Sequence, residues 1–315
     1  MLVIKNTNLE RMNSMSSKVF KRLFVMVCIM SFTIALTACG AKDEKEAADV
    51  SEKTQSATIN VITREDGSGT RGAFTEIVGL IEKDASGNET DMTYPEAVVQ
   101  NSTDAVMTAT ANDESAIGYI SLGSLNDTVK ALKIGGVEAS AEDITNGSYP
   151  IARPFNIVYK DGVTPEVQDF LNFIASSEGQ KVVEEEGYVK NKDAQPYQGT
   201  NNSASITIAG STSVAPLMEK LVEVYKIFNP DFKADIQATG SSSGIQAAID
   251  GSAQVGMASR ELKDDEASQL KKEVIAMDGI AIITNKANQV SDLSMEQVKN
   301  IFSGKLTDWA EVNGK

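Results

Sequence analysis

Apolar and polar positions alternate at Ile59 and Val61. A few residues later Ala73, Phe74, Ile77, Val78 and Ile81 recur at helical spacing, which predicts a strand, a polar loop and a helix in that order. Further strand patterns fall at Ala116 to Ile120, Ala131 to Ile134, Phe155 to Tyr159, Ser205 to Ala209, Ala234 to Gln237, Gln254 to Met257 and Ile280 to Thr284. Between many of them lie helical patterns: Pro165 to Ala175, with Val167, Phe170, Leu171 and Ile174 in phase, then Leu217 to Phe228, Ser242 to Ile249 and Ser294 to Phe302. Such alternation predicts an α/β fold with mainly parallel sheets, in which ligands sit beyond the carboxyl ends of strands. The polar stretch Gln198 to Ser203 reads as a linker before a second strand, loop and helix unit.

The N-terminus follows another pattern. Lys18, Lys21 and Arg22 precede an unbroken apolar run, Leu23 to Leu36, which stops at Thr37, Ala38 and Cys39. The run is shorter than the roughly 20 residues that span a bilayer, so residues 1–38 read as a secretory signal. Leu36-Thr37-Ala38-Cys39 is similar to the bacterial lipobox, which implies cleavage before Cys39 and attachment of lipid to it. The length of the stretch before Lys18 leaves Met1, Met12 or Met15 as the start. Residues 40–57 are charged without apolar period and read as a tether.

Composition then removes whole classes of chemistry. The 315 residues carry 29 basic and 44 acidic side chains, a net charge of −15. A general nucleic-acid binder, which needs a positive field, is not expected. There is no histidine, and the two cysteines are Cys28, inside the signal segment, and Cys39. A Ser-His-Asp or Cys-His nucleophile and a thiolate or imidazole zinc site are therefore excluded. No enzyme, metal or cofactor is expected.

Three loops share one design: a strand ends, glycine and small hydroxyl residues follow, and a helix begins. They are Gly210 to Ser213 (GSTS), Gly240 to Gly244 (GSSSG) and Asp66 to Thr70 (DGSGT). Helix N-termini present amides without intrahelical acceptors and a partial positive charge, so such loops suit an oxyanion. No Gly-Lys-Ser/Thr follows any of them, which argues against a nucleotide phosphate loop.

Together with ITREDGSGTRGAF, IAGSTSVAPLMEKL, TGSSSGIQAAIDG, GMASREL and IFSGKLTDWAEV, these loops resemble the phosphate-binding protein of the bacterial phosphate ABC importer, the PstS family. The resemblance spans Ile59 to Lys315. It implies a two-domain periplasmic-binding-protein-like (class II) fold with the ligand in a cleft. By motif position the phosphate contacts fall on Arg64, Ser68, Gly69, Thr70, Thr212, Ser213, Ser241 and Arg260, with Asp66 orienting Arg64. Arg260 stands where the best-known family pattern has an aspartate that accepts the proton of hydrogen phosphate, which leaves Glu261 or a hydroxyl as the expected acceptor.

The motif order is also exchanged, DGSGT coming before GSTS, GSSSG and SREL, so the chain resembles a circular permutant. The expected domains are 58–153 plus 279–315, discontinuous, and 154–278, continuous. What the resemblance implies overall is an extracytoplasmic, membrane-anchored, monomeric solute-binding lipoprotein. It would deliver inorganic phosphate to a permease and ATPase complex, with another oxyanion such as sulfate or molybdate, or a sensing or adhesion role, as the alternatives.

Overall fold

The computed structural model describes residues 58–313, apart from 85, 87, 192 and 193. The signal segment, Cys39 and the tether lie outside the described residues. A ten-stranded sheet runs through the molecule. Its main path uses β1 (Asn60–Arg64), β2 (Val98–Gln100), β3 (Ala116–Ser121), β4 (Ala152–Tyr159), β5 (Ser205–Gly210), β6 (Lys233–Ala238), β7 (Val255–Ala258) and β8 (Lys271–Thr284). Their spatial order is β6-β5-β7-β4-β8-β3-β1-β2. The helices that matter below are α1 (Gly69–Val78), α2 (Thr103–Ala111), α3 (Pro165–Ile174), α4 (Ser177–Glu185), α5 (Ala215–Phe228), α6 (Ser241–Asp250) and α7 (Met295–Phe302).

The sheet is mixed rather than mainly parallel. On one wing β1 is parallel to β2 and β3, and on the other β5 is parallel to β6 and β7. In the centre β4 and β8 run antiparallel to each other, and each is antiparallel to its wing neighbour. The reason is connectivity: β4 carries the chain from one wing to the other and β8 carries it back, so the two must point in opposite directions.

Among the described residues, the two larger of four apolar clusters pack on either side of this crossing, each with a smaller one beside it. One set, including Phe170, Leu217, Tyr225 and Phe232, lies wholly within residues 155–276. The other, including Phe74, Tyr119, Ile282 and Phe302, comes from residues 59–151 and 280–312. We refer to them as the second and first lobe. At the crossing Arg153 faces Asp278 in strand register, with Nη2 3.1 Å and Nε 3.3 Å from Oδ2, and both side chains are buried. Ser121 Oγ and the Leu122 amide also donate to Asp278 Oδ1, at 2.9 and 3.1 Å. A charge pair withdrawn from water holds its place only with such additional hydrogen bonds.

Several local expectations shift. Helix α1 stops at Val78 because Gly79 adopts φ 76°, a left-handed cap. Ile81 therefore starts a short strand instead of extending the helix. The single strand expected over Ala131 to Ile134 is two, Lys130–Ala131 and Lys133–Ile134, divided at Leu132, which is buried. The stretch Gln198 to Ser203 is no free linker. Asn202 is buried there, its Nδ2 donating to the Glu166 carbonyl at 2.7 Å and to Tyr225 Oη at 2.8 Å, and its amide to Asn229 Oδ1 at 2.8 Å.

Candidate anion site

Five loops leave the carboxyl ends of the parallel strands and meet where the lobes face each other. From the first lobe come residues 65–68, between β1 and α1, and residues 101–102, between β2 and α2. The second lobe supplies residues 211–214 before α5, residues 239–240 before α6, and Ser259-Arg260 after β7. The backbone prepares these loops for close approach. Gly210 has φ 141°, and a Cβ there would come 2.2 Å from the Met257 carbonyl oxygen. At the start of α1, Ser68 Oγ accepts the Arg71 amide at 3.3 Å as the N-cap.

Arg64, at the end of β1, is 2% exposed, which is unusual for a guanidinium and marks it as held by partners. Its Nε and Nη2 grip both oxygens of Glu65 at 2.8 and 2.9 Å. The other edge of the fork faces hydroxyls: Nη2 donates to Thr212 Oγ1 at 3.0 Å, across the cleft, and Nη1 approaches Thr103 Oγ1 at 3.5 Å. Behind it, the Arg64 amide donates to Tyr119 Oη at 3.2 Å, and that phenol bonds Thr63 Oγ1 at 2.8 Å. Burial pushes the Tyr119 hydroxyl up, so it stays neutral as a fixed hydrogen-bonding post.

The remaining expected contacts assemble around this fork. Thr70 Oγ1 lies 2.8 Å from Ser213 Oγ, and Ser213 Oγ lies 3.1 Å from Thr103 Oγ1. A second group joins Ser241, Ser259 and Ser211: the Ser259 amide donates to Ser241 Oγ at 3.1 Å, and Ser211 Oγ is 2.9 Å from Ser259 Oγ. Gly69 faces that group so closely that a Cβ on it would sit 2.3 Å from Ser241 Oγ. The Ser242 amide donates to the Gly67 carbonyl at 3.1 Å, joining the two lobes through backbone. Arg64, Ser68, Gly69, Thr70, Thr212, Ser213 and Ser241 thus gather in one place.

Asp66 does not orient Arg64. Its side chain is 97% exposed and pairs with Arg71 at 2.7 Å, because the turn at residues 66–67 swings it outward while Glu65, one residue earlier, folds back onto the guanidinium. Arg260 lies at the edge. Its fork is taken by Glu266, with Nη1 at 2.7 Å and Nη2 at 2.8 Å, and Nη2 also reaches Ser242 Oγ at 3.2 Å. Burial alone would raise the Glu266 carboxyl, but the Arg260 fork together with the amide and charge of Lys263 outweighs it and holds the group below the usual carboxylate range. Glu261 is also outside the cluster, exposed and paired with Lys272. Thr103 and Ser259 are participants that the sequence did not single out, and Glu65 pairs with a buried Arg64 rather than forming a surface salt bridge. Ser102-Thr103 has no glycine and reads as an ordinary helix cap, and only its position beside β1 reveals it.

Among the described residues no group of three or more Cys, Asp or Glu is placed to hold a metal ion, and no helix is long and apolar enough to cross a membrane. Residues 43–178 and 195–315 match the family described as the PBP superfamily domain. The phosphate-binding protein PstS 2 of Streptococcus agalactiae serotype V is 50% identical over 265 residues, 84% of this chain and 90% of the relative. The chain belongs to the PstS family. A crystal structure of a phosphate ABC transporter's phosphate-binding protein from Streptococcus pneumoniae TIGR4 superposes on it with a TM-score of 0.66 and 46% identity, over 82% of this chain and 100% of that one. The PstS of Bacillus subtilis (strain 168) is 34% identical over 116 residues, only 36% of this chain. All three relatives carry the name of phosphate-binding proteins.

Proposed function

We propose that this chain captures inorganic phosphate outside the cytoplasm for an ABC importer, holding it between the lobes. The observation that carries this reading is Arg64, buried and shared between Glu65 and the hydroxyls of Thr212 and Thr103, with the small-residue loops of both lobes meeting around it. A tetrahedral oxyanion accepts hydrogen bonds from such a fork and from hydroxyls and helix N-terminal amides, with no change in covalent bonding. Residues 58–153 with 279–315 and residues 154–278 act as the two moving bodies, turning about β4 and β8. The closed form is favoured because only it brings both sets of donors to one anion.

Selectivity for phosphate rests on Glu65, whose carboxylate is the acidic group bonded to Arg64. Each carboxylate oxygen keeps acceptor capacity beyond the guanidinium bonds, so the group accepts the hydroxyl of hydrogen phosphate. Sulfate carries no such proton at neutral pH and is repelled. The lipid on Cys39, the tether of residues 40–57 and docking of a monomer on a permease and ATPase complex complete the reading. Its motif order is a circular permutation shared within a branch of the family. The long match to the streptococcal relative and the short one to the Bacillus protein support that branch.

Calorimetric titration with phosphate, arsenate and sulfate is the test. Submicromolar phosphate binding, competed by arsenate and lost in Arg64→Ala, is expected. Equal affinity for sulfate overturns the selectivity, and an Arg64→Ala variant that binds normally overturns the site.

A further inference from the structure

Thr103 is a hydroxyl of the site that the motif positions did not assign, and the one such hydroxyl the guanidinium of Arg64 approaches. It opens α2 behind its N-cap Ser102, whose Oγ accepts the Ala105 amide at 3.1 Å, and it is 3% exposed. Strand β2 is parallel to β1 with Gln100 opposite Arg64, so the start of α2 arrives beside the guanidinium. Thr103 Oγ1, Ser213 Oγ and Thr70 Oγ1 form a row with separations of 3.1 and 2.8 Å. Three hydroxyls bring three protons, and a row of three has two links. One proton is left over whichever way the row is oriented. Arg64 Nη1, a donor, approaches Thr103 Oγ1 at 3.5 Å, which favours the row running from Thr70 through Ser213 to Thr103; the proton left over is then the one on Thr103 Oγ1, and Arg64 cannot accept it. A buried donor without an acceptor is unfavourable, and an oxyanion beside Arg64 supplies the acceptor.

We propose that Thr103 is a direct contact of the bound anion: its Oγ1 donates to an anion oxygen, and the first turn of α2 adds its amide dipole. The proposal rests on the oxyanion reading above. It makes the residue 103 loop a further element of the site, and, through Ser213, one that senses whether the lobes are closed.

The test compares Thr103→Val, which keeps the shape without the hydroxyl, with Thr103→Ser, which keeps the hydroxyl, by calorimetric titration with phosphate. Thermal unfolding without phosphate is recorded alongside. A hydrogen bond to a charged group corresponds to roughly a ten- to hundredfold loss of affinity in Thr103→Val, with Thr103→Ser within about threefold of the unaltered protein. Unfolding temperatures without phosphate are expected to stay close to that of the unaltered protein. If Val crowds Ser213 and the variant fails to fold, Thr103→Ala gives the same comparison. Unchanged affinity in the hydroxyl-free variant, or equal weakness in Thr103→Ser, overturns the role of Thr103. Absence of phosphate binding by the unaltered protein instead overturns the oxyanion reading, and this inference with it.

Discussion

A single methyl group at residue 69 separates closure of the lobes from the chemistry of the site. Gly69 begins α1 in the first lobe, and a Cβ there would lie 2.3 Å from Ser241 Oγ, 2.8 Å from Ser259 Oγ and 3.0 Å from Ser241 Cβ, all in the second lobe. Gly69→Ala keeps the backbone amide, so no donor to the anion is removed. The Ser241 hydroxyl can rotate away only by giving up the bond from the Ser259 amide. That loss is about 0.5–1.5 kcal/mol. The remaining crowding against Ser241 Cβ costs about 1–3 kcal/mol. Their sum, about 1.5–4.5 kcal/mol, corresponds to roughly a tenfold to thousandfold weaker phosphate affinity. Without ligand the lobes can part and the clash disappears, and alanine loses less backbone entropy than glycine on folding. Calorimetric titration paired with thermal unfolding in the absence of phosphate reads both quantities. Weak binding with an undiminished unfolding temperature is expected. Binding within threefold of the unaltered protein, or a marked loss of stability without phosphate, refutes closure across Gly69.

Gly244→Ala is the contrasting case, because its Cβ would meet the second lobe's own backbone, 2.3 Å from Gly210 Cα and 2.4 Å from the Ala209 carbonyl oxygen. No opening motion relieves that contact, so urea unfolding is expected to show a loss of at least about 1–3 kcal/mol with or without phosphate, and unchanged stability would contradict the packing of α6 on β5. Glu266→Gln tests the clamp on Arg260 through pH. The carboxyl is held below its ordinary 4.5 in the fold, so its contribution is present above that value and fades as pH falls through the lower folded one. The stability difference between the unaltered protein and Glu266→Gln is therefore expected to be positive at neutral pH and to shrink on acidification. A difference that grows in acid would refute the pairing.

The loops at 66–70, 210–213 and 240–244 were legible because their chemistry is local. Glycine and small hydroxyl residues between a strand and a helix expose the first amides of the helix whatever surrounds them. The absence of histidine and of a cysteine beyond Cys39 likewise bounded the chemistry with no structure at all. Partner choice was not local. Glu65 and Asp66 are equivalent as letters, and only the turn at Gly67, with φ 85°, puts one on Arg64 and the other on Arg71. Thr103 belongs to the site because β2 pairs with β1, a register set by the whole first lobe. Arg260 reads as a ligand by position, yet Glu266, six residues on, takes its fork before it can enter the cleft. The antiparallel centre of the sheet has the same origin: the alternation of residues along β4 and β8 is that of any strand, and their direction is decided by the chain having to cross between two cores and return. The sequence by itself determined which residue types could hold an oxyanion; the tertiary structure decided which of them face it, because side-chain direction and strand pairing depend on neighbours far away along the chain.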